Sequence, residues 1–107
     1  MEPELKERWL VALKSGEYKK GKHLLNHDSE LCCLGVLCEI LELPKRLISN
    51  RDNQFEYIYE EEGMFVTLSS SLLQKLNMSS TIESRLSATN DQTETFKEVI
   101  KLIEESV

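Results

Sequence analysis

The run Leu31–Leu43 limits the fold more than any other part of the chain. Val36, Leu37, Ile40 and Leu41 fall on one helical face, and Leu34 and Cys38 widen it. A helix that is apolar nearly all round must be wrapped by other elements, so a central helix is predicted from about Cys33 to Leu43. Gly35 inside it costs about 1 kcal/mol relative to alanine. Such a cost makes sense where a second backbone passes close by. Pro44 ends the helix, because it restricts the residue before it and has no N–H to donate. All three cysteines, Cys32, Cys33 and Cys38, lie in this run, with no CxxC spacing. Neither a thioredoxin-type couple nor a zinc knuckle fits, and the thiols are read as reduced, buried hydrophobes that bind no metal.

The remaining segments have to cover that helix. At 107 residues the chain is read as a single domain, 1–107. Pro3 suits a first helical position. Leu5, Trp9, Ala12 and Leu13 then form one stripe, with Trp9 as a core anchor and Gly16 as the stop. Glu17–Glu30 reads as a short irregular hairpin turning at Asn26–Ser29. Lys45–Asn53 reads as a turn and a polar loop. Phe55–Tyr59 and Phe65–Leu68 read as the strands of an antiparallel hairpin joined by the acidic turn Glu60–Gly63. Ser69–Leu76 is a short helix and Thr81–Leu86 a further turn, followed by a loop at Ser87–Asp91. A last helix carries Phe96, Val99, Ile100, Ile103 and Val107, with Asp91 and Glu94 at capping-box spacing. The fold class is therefore α+β: three to five helices with a small antiparallel β-hairpin on a single core.

Charge narrows the function. Thirteen Lys+Arg against nineteen Asp+Glu leave a net −6. Duplex nucleic acid is an unsuitable partner for such a chain, whereas a small anionic ligand needs only one basic pocket. No stretch approaches the roughly 20 apolar residues of a membrane helix, and no signal peptide pattern is present. A cytosolic protein is expected, with a homo-oligomer left open. No Walker A loop, GxGxxG, GxSxG or HExxH occurs. His23 and His27 stand four apart, but the turn around Asn26 argues against the shared helical face that a zinc pair needs. No catalytic residue, metal or cofactor is therefore assigned.

The best candidate for a ligand site is Tyr18-Lys19-Lys20-Gly21-Lys22-His23. Glycine lets a ligand approach the backbone, lysines seek phosphate, and Tyr18 or His23 can stack on a base. Asn90 and Asp91, read as standing at the N-terminus of the last helix, could add anion and ribose contacts. The plainer alternatives are a solvated lysine face and an ordinary helix cap. The acidic stretch Glu56–Glu62 suggests a competing role, mimicking nucleic acid or docking on a basic protein.

Three segments also resemble a known group. They are Trp9 with Ala12-Leu13-Lys14-Ser15-Gly16-Glu17-Tyr18-Lys19-Lys20-Gly21, then Cys32-Cys33-Leu34-Gly35-Val36-Leu37-Cys38, and Leu86 with Asn90-Asp91, Phe96, Ile100 and Ile103-Glu104. Together they are similar to a group of small proteins of tailed bacteriophages and prophages, mostly without assigned function. The likeness is weakest over Lys45–Gly63, and the group often carries Gln where this chain has Lys20. It implies a phage or prophage accessory protein acting in the host bacterial cytoplasm. The resemblance supplies no mechanism; the lysine–glycine segment and Asn90-Asp91 tip the expected role toward a counter-defence binder, not an enzyme, that sequesters a nucleotide-type signal. The alternative is a protein–protein inhibitor of a host defence or nucleic-acid-binding protein.

Overall fold

The computed structural model describes residues 1–21, 25–27, 30–51, 54–59 and 67–107. The elements run α1 (Pro3–Lys14), β1 (Lys19–Lys20), β2 (Asn26–His27), β3 (Glu30–Leu31), α2 (Cys33–Ile40), β4 (Lys45–Arg51), β5 (Gln54–Tyr59), α3 (Ser70–Leu76), α4 (Ser80–Gln92) and α5 (Lys97–Ser106). This is the α+β class expected. The strands form one sheet in the order β1-β3-β2-β5-β4, antiparallel except for the β1–β3 pair.

α2 is the hub. Cys33, Leu34, Val36, Leu37 and Cys38 are completely buried, and α1, α4 and β3 pack against the helix. Gly35 allows the tightest approach. A β-carbon there would sit 1.9 Å from the carbonyl oxygen of Leu25, a backbone atom. The close passage predicted for this glycine is thus found. α1 follows its expected course, with Pro3 in the first turn and Gly16 at φ +78° just past the end. Trp9 is fully buried, and its indole N–H donates to the Cys33 carbonyl at 2.9 Å, which fastens α1 to the start of α2.

Four expectations need correction. First, α2 stops at Ile40 and not at Leu43. Glu42 takes φ +56°, and Leu43 N–H donates back to the Cys38 carbonyl (3.2 Å) while Glu42 N–H reaches Glu39 (3.0 Å). This is a Schellman end, completed before Pro44 is reached. Second, residues 45–51 are not a loop. They form β4, pairing with β5 from Lys45↔Tyr59 to Arg51↔Gln54, with a bulge between Leu47 and Ser49. β4 lies at the sheet edge, where exposed Lys45 and Arg46 are the kind of residue that discourages further pairing. β5 is a strand as expected, but its neighbours are β4 and β2. Thr67 and Leu68 lie in no strand, and Phe65, Val66 and the Glu60–Gly63 turn fall outside the described residues.

Third, the hairpin at Glu17–Glu30 exists as β2 and β3, but its strands start inside the supposed turn, pairing Asn26↔Leu31 and His27↔Glu30. Fourth, Ser87–Asp91 is helical. α4 continues to Gln92 because no Gly or Pro interrupts it and because Glu83, Leu86 and Asn90 share one buried face. α5 then starts at Lys97, so the Asp91/Glu94 capping box does not form. Ser69 and Ser79 do the capping on the preceding helices, accepting from Leu72 N–H and Ile82 N–H at 3.1 Å each.

Candidate functional site

The structure brings Lys20, Gly21, Asn90 and Asp91 together, but not as a ligand cradle. Asn90 has no solvent exposure. Its Oδ1 accepts from Cys33 N–H (3.1 Å) and its Nδ2 donates to the Gly21 carbonyl (3.0 Å). Only this amide orientation serves both backbone groups. α2 has no cap from its own N-cap side chain, that of Cys32. Asn90 fills that role from another helix. Lys20 acts at the opposite pole. Its Nζ donates to the carbonyls of Asn90 and Thr93 at 2.5 Å each, at the negative end of α4. Asn90 and Asp91 are therefore at a helix C-terminus, the reverse of the anion-attracting end expected for them. Gly21 is buried too. Its N–H donates to Leu31 (2.8 Å), and a β-carbon there would press on the Glu30 backbone at 2.9 Å. The close approach that needs this glycine is to β3.

The other candidates separate from this junction. Lys19 is mostly exposed and pairs with Glu30 at 3.5 Å. Lys22 and His23 lie outside the described residues. Among the described residues no group of three or more His, Cys, Asp or Glu is arranged to hold a metal. The cysteines are buried free thiols. Burial raises Cys32 to about 11 and pushes Cys33 well above its ordinary value, with the neighbouring Cys32 and Asp91 adding to the rise at Cys33.

Beside the junction lies a groove of about 570 Å³ between the end of α1, the Gly16–Lys20 segment and the start of α5. Tyr18, Phe96 and Ile100 are among its apolar walls, and Lys14, Lys20 and Lys97 all border it, against one carboxylate, Glu94. Lys14 reaches Glu104 at 3.7 Å across an exposed surface. Lys97 is exposed and opens α5, whose first turn has no cap from the side chain of its N-cap, Phe96. Thr95 Oγ1 accepts from Lys97 N–H at 3.3 Å, so the attraction for an anion here comes from the ammonium groups together with the positive end of α5. Tyr18 and Lys20 were legible as candidates in the sequence. Lys14 and Lys97 were not, since their meeting depends on α1 and α5 packing together. The adjacent Phe96-Lys97 pair, at the head of the α5 stripe, was the one local signal.

The fold and groove define a class: a small α+β domain with a closed thiol-rich core and a lysine-bordered surface groove. The match to known proteins is to a family. The family model described as a domain of unknown function (DUF8296) covers residues 1–107, and the chain belongs to that family. No curated protein and no solved structure matches it. Among the described residues no helix is long and apolar enough to cross a membrane.

Proposed function

We propose that this protein is a stoichiometric binder of a small anionic ligand with a planar apolar body, of nucleotide type, held in the groove between α1 and α5. The observation that carries this reading is the convergence of Lys14, Lys20 and Lys97 around the Tyr18 and Phe96 walls of the groove at the start of α5. A net −6 protein repels polyanions as a whole, yet concentrates three ammonium groups here. Lys20 contributes charge while it holds the α4 carbonyls. Lys14 and Lys97, being exposed, contribute donors. Tyr18 offers a face for stacking. With the resemblance to tailed-phage and prophage proteins, the role becomes an accessory protein in the host cytoplasm that sequesters a nucleotide signal of host defence.

The test is calorimetric titration with mononucleotides and with linear and cyclic dinucleotides. One of them should bind, and Lys97→Ala should weaken it about tenfold, the effect of losing one charge-assisted hydrogen bond. Lys19→Ala, outside the groove, should leave affinity unchanged. The ligand should be recovered intact by chromatography after heat denaturation. Turnover of the nucleotide, binding of none of them, or wild-type affinity in both Lys97→Ala and Lys14→Ala refutes the proposal.

A further inference from the structure

A second groove, of about 500 Å³, lies on the other side of Tyr18, between α1 and the end of α2. Its character is opposite. Val11, on its α1 side, is 56% exposed and is one of only two large apolar side chains so exposed among the described residues. Ala12 and Ile40 continue the apolar strip. Glu7, Glu17, Glu39 and Glu42 surround it, and Arg8 is the one basic residue in the lining. The Arg8 guanidinium already donates to the Ile40 carbonyl at 3.1 Å. Glu39 is taken up by Lys45 and Tyr59, whereas Glu7, Glu17 and Glu42 are exposed. α2 has no basic residue in its last turn, and Arg8 already occupies its C-terminal end, so the charge left for a partner is that of the exposed carboxylates.

We infer that this groove is a protein-docking surface whose occupant is a basic segment carrying an aliphatic anchor. The anchor would cover Val11 and Ile40, and flanking lysines or arginines would meet Glu7, Glu17 and Glu42. Both parts are needed. The apolar strip gives affinity by leaving water, and the carboxylates select against acidic partners, including a second copy of this net −6 chain. The site is independent of the lysine-bordered groove, and either can hold without the other.

The experiment selects a randomised short-peptide library on the full-length protein, then measures the enriched peptides by fluorescence anisotropy at low and high salt. Enrichment of Lys/Arg flanking Leu, Ile or Val is expected. Val11→Ser should weaken such peptides about tenfold, the effect of exposing one aliphatic contact again. Glu7→Gln with Glu17→Gln should weaken them several-fold at low salt and flatten the salt dependence. Glu98→Gln, on α5, should change nothing. Circular dichroism confirms that each variant is folded, as substitutions at exposed positions allow. No enrichment, enrichment of acidic peptides, binding that Val11→Ser leaves intact, or a dimer in sedimentation that Val11→Ser dissociates would each overturn the inference.

Discussion

Replacing Asn90 by alanine separates a structural junction from a ligand contact. The side chain has zero exposure and joins three parts of the chain: α4, the Gly21 carbonyl and the Cys33 amide at the start of α2. Alanine removes both partners at once. Gly21 and Cys33 are themselves buried, so water cannot take over. An orphaned buried donor or acceptor costs about 1–3 kcal/mol, so the pair should cost about 2–6 kcal/mol. That is a large part of the roughly 5–15 kcal/mol that holds a domain of this kind together. With a urea slope of about 2 kcal/mol per molar, the middle of the range for small domains, the unfolding midpoint should fall by about 1–3 M with little change in slope. Equilibrium urea unfolding followed by Trp9 fluorescence gives the number, because Trp9 is buried and bonded to the same Cys33. A loss under about 0.5 kcal/mol, the scale of an ordinary surface substitution, would refute the argument. Asn90 would then be free to serve a ligand.

Three further outcomes follow from backbone and burial. Gly35→Ala should destabilise by about 3 kcal/mol or more despite alanine's better helix propensity, since its β-carbon would meet the Leu25 carbonyl oxygen at 1.9 Å; thermal melting that rises instead would show that α2 and the Leu25 segment do not touch there. Glu42→Gly should stabilise by about 0.5–1 kcal/mol, because φ +56° strains a residue with a β-carbon and suits glycine at a Schellman end; a lowered melting temperature counts against it. The Cys32 thiol is raised from 9.0 to about 11 by burial, so the unfolded chain ionises first. Its contribution is therefore complete below pH 9 and is lost as pH rises through 11, to a total of about 3 kcal/mol. Cys32→Ala should flatten the stability profile in that range, and a profile unchanged by the substitution would exclude the effect.

Legibility in the sequence followed the range of the interactions. α1, most of α2, α3, β5 and the α5 stripe rest on periodicity and on nearby punctuation such as Pro3 and Gly16, and all were readable. Gly35 was readable because a glycine in an apolar helix already implies a neighbouring backbone. β4 was hidden because an edge strand needs no apolar face, and Lys45-Arg46 looks like a loop when its pairing partner is unknown. The extension of α4 was hidden because Ser, Thr, Asn and Asp are turn formers by local hydrogen bonding. Asn90 spends its amide elsewhere, on groups 57 and 69 residues away in the chain. At the candidate site, residue types were readable but their employment was not.

The lysine–glycine segment and Asn90 drew attention because polar groups that bind ligands and polar groups that cap distant helices have the same chemistry. What distinguishes them is whether their hydrogen bonds are already made inside the fold. Asn90 and Gly21 are buried and committed, and Lys20 neutralises the end of α4 through two carbonyls. Of the three helices lacking caps from their own N-cap side chains, α2 and α5 thus meet different fates. The start of α2 is closed by Asn90 within the core, whereas the start of α5 faces a groove with Lys14 and Lys97 beside it. Anion affinity follows exposed ammonium groups beside a helix start that opens on a groove, so it belongs at α5 and not at the junction. The same reasoning makes Lys20 a support of the groove: its charge adds to the field there only while it holds the α4 carbonyls in place.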